Sequence, residues 1–301
     1  MSRRRRVHIP GGYYHVTLRG NHRQDIFQDP ADRSALDAIA RGACERTGAR
    51  VIAYCWMTNH IHLVVRVDLQ PLGDLMQIIG SRYARYLQRR CGTTGHLFER
   101  RYHAVLLIRQ EQLLHVVRYV HLNPVRAGMV AAPGDYPWSS HRRYVGVVDG
   151  PWLHPDAVLG PLAPGSIEAR QVFARFCGEA VQTPEVMDIA REFLAERVVD
   201  DVVSVANQRR PGRTVDEIVA TVCHRAGVRE EHLAEPGKSR ILSRLRAEIA
   251  VTATLEGAAT FTEIAQRFNR DLSSITKAAT RWRRLQGNAN AQMPNPVPLK
   301  V

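Results

Sequence analysis

Residues Val51 to Val67 read VIAYCWMTNHIHLVVRV. Two apolar runs, VIAYCWM (51–57) and HIHLVVRV (60–67), flank the polar pair Thr58 and Asn59. β-Branched and aromatic residues around so short a polar connection predict two strands. On a strand, residues i and i+2 face the same way. His60 and His62 therefore project together, while Ile61, Leu63 and Val65 project to the other side. Two neighbouring imidazoles can hold one divalent cation if one or two further ligands are supplied. Two hydrogen-bonded histidines on a partly exposed face satisfy the same pattern, so H-x-H needs support from elsewhere in the chain.

The flanking segments predict the fold class. GGYYHVTLRG (11–20) alternates and ends on Gly20, like a strand entering a loop. ADRSALDAIARGACER (31–46) is an amphipathic helix behind the start signal Asp29–Pro30. A second helix is expected from about Leu72 to Arg90, a strand at HAVLLI (103–108), and a third helix at EQLLHVVRYVHLN (111–123), stopped by Pro124. The order strand, helix, strand, strand, helix, strand, helix predicts an α+β domain with helices on an antiparallel sheet. YPWSSHRRY (136–144) reads as its closing segment, which puts this domain at residues 1–145. Residues 146–213 read as a linker with a helical segment, because 146–164 is rich in Pro and Gly and 207–213 is the basic NQRRPGR. Residues 214–286 read as all-helical, and the polar, Pro-rich tail 287–301 as disordered.

Composition narrows the partners. The 301 residues carry a net charge of +13 and a pI near 10.1, and only Lys238, Lys277 and Lys300 among the 42 basic residues are lysine. Arginine's planar fork grips phosphate at two points, so nucleic acid is the expected partner. The five cysteines are scattered without a C-x-x-C pair, which excludes a zinc ribbon or a disulfide framework and fits a reducing cytosol. MSRRRR is followed by VHIPGGYYH, with no apolar stretch of a signal peptide, and no run of 18 apolar residues predicts a membrane span. A cytoplasmic, nucleoid-associated protein is expected.

The third helix supplies what the histidines lack. Tyr119 and Asn123 are spaced i, i+4 and share a face along one edge of the stripe Leu113, Val116, Val117 and Val120. If that stripe packs on the sheet, both overhang the histidines. The candidate metal ligands are then His60, His62 and the Asn123 carboxamide, with the Tyr119 phenol alongside as the candidate catalytic residue. A phenol has a pKa near ~10 and is a poor nucleophile at neutral pH. A cation that polarises a phosphoryl oxygen makes the phosphorus a better target, and attack gives a covalent phosphotyrosine. Tyr83 and Tyr86 are alternatives to Tyr119. His115, His121 and Gln112 are alternatives to Asn123, whose place before Pro124 biases it away from helix.

Basic surfaces point the same way. RGNHRQ (19–24) offers Arg19, Asn21 and Arg23 at a strand end, and Ser81–Arg90 interleaves Arg82, Arg85 and Arg89 with Tyr83 and Tyr86. Arginines with aromatic rings suit backbone tracking and base stacking. The RRRR run at 3–6 reads as an arm for non-specific phosphate contacts. TFTEIAQRFNRDLSSITKAATRWRRL (260–285) has helix-turn-helix form. Ile264, Ala265 and Phe268 face inward, Asn269–Leu272 turn, Ser273 caps, Ile275 and Ala279 pack, and Lys277 and Arg281 are exposed.

HIH within an apolar strand, followed about 60 residues later by YVHLNPVRAG (119–128), resembles the HUH single-strand transposases with one catalytic tyrosine, and more closely the REP-associated tyrosine transposases. YHVTLRGNHRQDIF (14–27), GHLFERRYHAVLL (95–107) and YPWSSHRRY match as well, so the resemblance covers roughly residues 5–145. It implies a ferredoxin-like HUH domain. It also implies His60 and His62 as metal ligands, Tyr119 as a nucleophile forming a 5′-phosphotyrosine, and Asn123 where relatives carry a glutamine as third ligand. Mg²⁺ or Mn²⁺ would be the cofactor, and the loop at 19–24 would help hold folded single-stranded DNA. SRILSRLRAEIAVTATLE (239–256) and RDLSSITKA (270–278) resemble the C-terminal DNA-binding domain of the replication initiator DnaA. That resemblance implies a duplex-binding module whose second helix, with Ser273, Ser274, Lys277 and Arg281, enters the major groove. The expected function is a metal-dependent tyrosine endonuclease and strand transferase on single-stranded, hairpin or palindromic DNA, acting as a monomer or homodimer. The rival is a non-catalytic repeat-binding regulator derived from a transposase.

Overall fold

Strand β1 (Tyr13–Arg19) lies inside a four-stranded antiparallel sheet with β2 (Arg50–Trp56), β3 (His60–Arg66) and β4 (His103–Leu107), in the order β2-β3-β1-β4. Helix α1 (Pro30–Thr47) joins β1 to β2, α2 (Leu72–Cys91) joins β3 to β4, and α3 (Gln110–Arg126) follows β4. This βαββαβ order, with each crossover strand inserted between the other pair, is the ferredoxin-like arrangement. The computed structural model describes residues 8–147, 152–182, 188–195, 213–237, 239–256 and 258–290. They fall in two units, divided between residues 202 and 203. The arginine arm, most of NQRRPGR and the tail beyond 290 lie outside the described residues.

The pleat sorts the sheet into two layers. Val16, Leu18, Ile61, Leu63 and Val65 are fully buried on one face. Helix α2 lies on that side, where a Cβ placed on Gly80 would sit 3.9 Å from Leu18 Cδ2. Helix α1 begins at Asp29, whose carboxylate accepts from the Ala31 and Asp32 amides, a standard N-cap. Arg90 at the end of α2 binds Asp29 and the fully buried Asp32, which ties the two helices together. Helix α3 covers the other face, the one carrying His15, Thr17, Arg19, His60, His62 and Val64 in register.

Pro124 does not end α3. The helix runs through it to Arg126, and the chain turns at Gly128 with φ +66°. Proline lacks the N–H that would reach the Val120 carbonyl, but its fixed φ is helical and only one turn follows, so the disruption stays small. Asn123 is therefore held in regular helix.

The outer edge of β2 is closed by residues 136–144 and by His154. The Tyr136 hydroxyl donates to Trp56 O (2.7 Å), Trp56 N to Trp138 O (2.9 Å), Tyr54 N to Ser140 Oγ (2.9 Å), the Tyr144 hydroxyl to Ile52 O (2.9 Å) and His154 N to Val51 O (2.8 Å). An edge strand sealed this way offers no pairing template. The linker expected at 146–213 is corrected by the packing of its first part. Trp152, Leu153, Val158, Leu159, Phe173 and Cys177 belong to the same buried core as the sheet. They come from the turn before α5 (Asp156–Leu159), from α5 itself and from α6 (Ser166–Gln182). Pro and Gly composition marks irregular backbone but does not show what that backbone packs on. A further helix, α7 (Asp188–Ala195), belongs to the same unit.

The second unit is all-helical: α8 (Val215–Ala226), α9 (Glu231–Ala234), α10 (Arg240–Leu255), α11 (Phe261–Arg267) and α12 (Leu272–Asn290). Thr214 and Thr260 begin α8 and α11 with capping boxes to Glu217 and Glu263. Ile264, Ala265, Phe268, Ile275 and Ala279 are buried as their spacing predicts. Asn269 takes φ +46° in the turn. Helix α12 starts at Leu272, where the Asp271 carbonyl accepts from the Ser274 and Ile275 amides. Ser273 therefore lies within the first turn rather than at its cap. The helix also extends through residues 287–290, where a disordered tail was expected.

Candidate active site

His60 and His62 meet as the strand period requires. Their Nε2 atoms are 3.1 Å apart. The far nitrogen of each ring is engaged: His60 Nδ1 lies 2.7 Å from Asn59 Oδ1, and His62 Nδ1 lies 3.0 Å from His15 Nε2. Nε2 atoms at this separation share either a proton or a cation. When the far nitrogens carry the protons, donated to Asn59 and His15, both Nε2 lone pairs face one point. Two adjacent ligands of an octahedral ion at ~2.1 Å would stand about 3.0 Å apart, so the pair fits a small divalent metal. Orienting a ligand imidazole through its second nitrogen is the usual support in such sites.

Burial keeps these rings neutral. Desolvation lowers His15 to about 3, with a smaller push from His103, and lowers His60 to about 4, with Arg19 adding to it. His62 falls well below its ordinary value through burial, then through His15, His60, Arg19 and Arg126. The unfolded chain takes up protons near pH ~6.5 that the folded chain refuses, so folding loses stability as pH falls below that value and not above it. Each fully buried ring contributes a slope of about 1.4 kcal/mol per pH unit between its unfolded and folded pKa values. Thermal unfolding of metal-free protein should show a Tm that is level between about pH 7 and 8 and drops steeply below about pH 6.

Tyr119 closes the site from α3. Its ring meets His62 edge-on at 5.7 Å between centroids and His15 at 6.2 Å. The Arg126 guanidinium lies 5.4 Å above the Tyr119 ring. Asn123 Nδ2 donates to the Tyr119 carbonyl (2.8 Å), and no bond joins the Asn123 carboxamide to either histidine among the described residues. The alternatives to Asn123 are used elsewhere. His115 Nδ1 bonds Arg118 Nη2 (2.9 Å), His121 Nε2 bonds Ser140 Oγ (2.7 Å), and Gln112 Oε1 accepts from the Ile108 and Arg109 amides. The alternatives to Tyr119 lie on α2, on the opposite layer. The Tyr83 hydroxyl donates to Ile26 O (2.5 Å) in the core.

Two residues of this arrangement went unnoticed in the sequence. His15 stands across the sheet from His62, and its signal was the alternation of YYHVTLR placing it on the face of Thr17 and Arg19. Arg126 is in YVHLNPVRAG but beyond the expected helix end. Replacing His15 by Phe keeps a ring of similar size and removes the acceptor for His62. Metal affinity should weaken about 10- to 100-fold, measured by Mn²⁺ titration, and Tm should fall because the buried His62 Nδ1 loses its partner.

Among the expected DNA contacts, the loop after β1 borders the site. Arg19 pairs in register with His60, Gly20 N bonds Asn59 O (2.8 Å), and Asn59 Nδ2 bonds Arg23 O (3.0 Å). A Cβ on Gly20 would fall 2.3 Å from Gln24 O, so only glycine lets the loop fold this tightly. Asn21 sits in a short turn, where its amide donates to Leu97 O (2.8 Å). His22 and Arg23 take φ +49° and +59°, values L-residues rarely adopt. Arg82, Arg85 and Arg89 are exposed and line a shallow depression with Tyr86 and Arg90, but on α2, away from the histidine face. Ser273, Ser274, Lys277 and Arg281 are exposed along α12 of the second unit.

Residues 9–123 match the family model described as transposase IS200 like. A Haemophilus influenzae protein assigned as a REP-associated tyrosine transposase is 25% identical over 162 residues, which cover 48% of this chain and 88% of that protein. A solved structure of a REP-associated tyrosine transposase bound to a REP hairpin is 20% identical with a TM-score of 0.42, covering 51% of this chain and 98% of that one. The matched region contains His15, the His60–His62 pair, Tyr119 and Asn123. Residues 9–123 are thus similar to the IS200-like transposases, and the chain is similar to a REP-associated tyrosine transposase over about half of its length.

Proposed function

We propose that this protein is a metal-dependent tyrosine endonuclease and strand transferase acting on single-stranded DNA at hairpin or palindromic repeats. The observation that carries this reading is the edge-on approach of Tyr119 to His62, beside two Nε2 atoms 3.1 Å apart. His60 and His62 would hold Mg²⁺ or Mn²⁺, with Asn123 Oδ1 the candidate third protein ligand and phosphate oxygens or water completing the shell. When bound, the ion supplies polarisation of a phosphoryl oxygen. The Tyr119 oxygen then attacks phosphorus, the Tyr119 O–P bond forms and the P–O3′ bond breaks. The phenol proton passes to solvent, and the leaving 3′ oxygen takes one up as a hydroxyl. Arg126 over the Tyr119 ring and Arg19 beside His60 place positive charge where phosphate charge develops.

Labelled hairpin oligonucleotides incubated with the protein and Mn²⁺ test this reading. A denaturation-resistant protein–DNA adduct that requires the metal is expected. Binding without an adduct on any oligonucleotide would instead indicate the repeat-binding regulator.

The second unit would recruit the enzyme to duplex DNA through α12, whose exposed Ser273, Ser274, Lys277 and Arg281 form one strip. Lys277→Ala with Arg281→Ala should lower the salt dependence of duplex binding by about two ions and weaken all sequences alike. An unchanged salt slope would remove these residues from the interface.

A further inference from the structure

A second cluster of ligating side chains is buried in the first unit, outside the site described above. His121 on α3, His141 on α4 (His141–Tyr144) and Cys177 on α6 each offer a ligand atom, and these atoms lie within 4.8 Å of one another. The three residues are 0%, 5% and 1% exposed. Nδ1 of His121 and Nδ1 of His141 have no hydrogen-bond partner among the described residues. Two buried imidazole nitrogens without partners, next to a thiol, need an explanation.

The hydrogen-bond pattern around His121 supplies one. Ser140 Oγ accepts from Tyr54 N (2.9 Å) and lies 3.3 Å from Tyr54 O and 2.7 Å from His121 Nε2. If Ser140 donates to His121, then His121 Nδ1 carries an orphaned buried proton. If His121 Nε2–H donates to Ser140, and Ser140 donates to Tyr54 O, every proton is placed and Nδ1 is a bare lone pair. The second arrangement is that of a ligand histidine held by its far nitrogen. Phe173 and Tyr144 pack on the rings, with centroids 5.7 Å and 4.9 Å from His121. They give the cluster a dry aromatic wall. The Tyr144 hydroxyl is already spent on Ile52 O.

We propose that His121, His141 and Cys177 form a structural site for a thiophilic d¹⁰ cation, Zn²⁺ or Cu⁺, that fastens α3 to α4 and α6. Two imidazoles and a thiolate suit such ions, whereas Mg²⁺ demands an octahedron of oxygens. Binding breaks the Cys177 S–H bond, sends the proton to solvent and forms the sulfur–metal bond; both imidazoles enter neutral. Burial agrees with this state: it lowers His121 and His141, and it holds the uncoordinated Cys177 thiol up at about 12, with Arg118 pulling the other way. His121 is two residues from Tyr119, so the ion would fix the helix that presents Tyr119. The proposal does not depend on the transposase reading.

The test uses the full chain without a polyhistidine tag, carrying His60→Ala and His62→Ala so that the other imidazole pair is gone. After incubation with one equivalent of Zn²⁺ or Cu⁺ and gel filtration, retained metal is measured by mass spectrometry. Near-stoichiometric retention is expected, falling to background in a Cys177→Ser companion, and the ion retained identifies the metal. With Co²⁺ the parent should show thiolate-to-cobalt charge transfer, and a Cys91→Ser version, which removes the exposed cysteine, should keep it. That spectrum decides the question even if the Cys177→Ser chain fails to fold. A parent that retains neither ion and shows no charge-transfer band overturns the proposal, as does retention unchanged by Cys177→Ser.

Discussion

A Tyr119→Phe chain should form no covalent link to DNA and should still bind hairpin oligonucleotides. The substitution removes one hydroxyl and keeps the ring that rests on His62 and His15. Tyr119 is half-buried, and the helix around it is anchored by Val116, Val117 and Val120, all fully buried. Folding should therefore change little. Cleavage should fall by about 10⁴- to 10⁶-fold, the scale seen when a nucleophile is removed from a preorganised site. The two tyrosines of α2 do not stand ready to replace it. Tyr83 is committed to Ile26, and Tyr86 faces the arginine depression on α2. Single-turnover cleavage of a labelled hairpin, read beside a binding titration, checks both halves. Cleavage at the parental rate would remove Tyr119 from the mechanism.

The second large effect is expected from the histidine pair. His60→Ala with His62→Ala removes both facing Nε2 atoms, so activity should fall about 10³-fold or more, and added Mn²⁺ should not restore it. The single variants should differ. His60 is half-buried and its loss frees Asn59 Oδ1 and leaves His62 Nε2 as the remaining imidazole ligand, so part of the activity should return at high Mn²⁺. His62 is buried, and its loss opens a cavity and leaves His15 Nε2 unpartnered. That chain should be less stable as well as inactive. Cleavage rates over a Mn²⁺ series, with Tm for each variant, separate the two effects. Metal-dependent cleavage surviving in the double variant would move the metal site elsewhere.

The local patterns were legible because they depend on period alone. The i, i+2 spacing put His60 and His62 on one face, the i, i+4 spacing put Tyr119 near Asn123, and the element order announced an α+β sheet. What escaped depends on contacts between distant segments. His15 becomes a partner of His62 only through the register that sets Thr17 opposite His62 and Arg19 opposite His60. Arg126 was lost because Pro124 was read as a stop, whereas a proline one turn from the end is tolerated by a packed helix. Residues 146–164 read as linker because they are rich in Pro and Gly, yet Trp152 there and Phe173 in the helical segment beyond each bury a large ring against the first unit's core. His121 read as a spare metal ligand for the first site and proved to face α4 and α6 instead.

The most direct measurement of the central claim is the identity of the residue joined to DNA. The adduct formed with a hairpin oligonucleotide and Mn²⁺ is digested with protease and nuclease, and the nucleotide-bearing peptide is sequenced by mass spectrometry. The expected result is a single peptide from α3 with the nucleotide linked through a 5′ phosphate to Tyr119. A nucleotide on Tyr86 or on any other residue, or an adduct that forms equally well without His60 and His62, would contradict it.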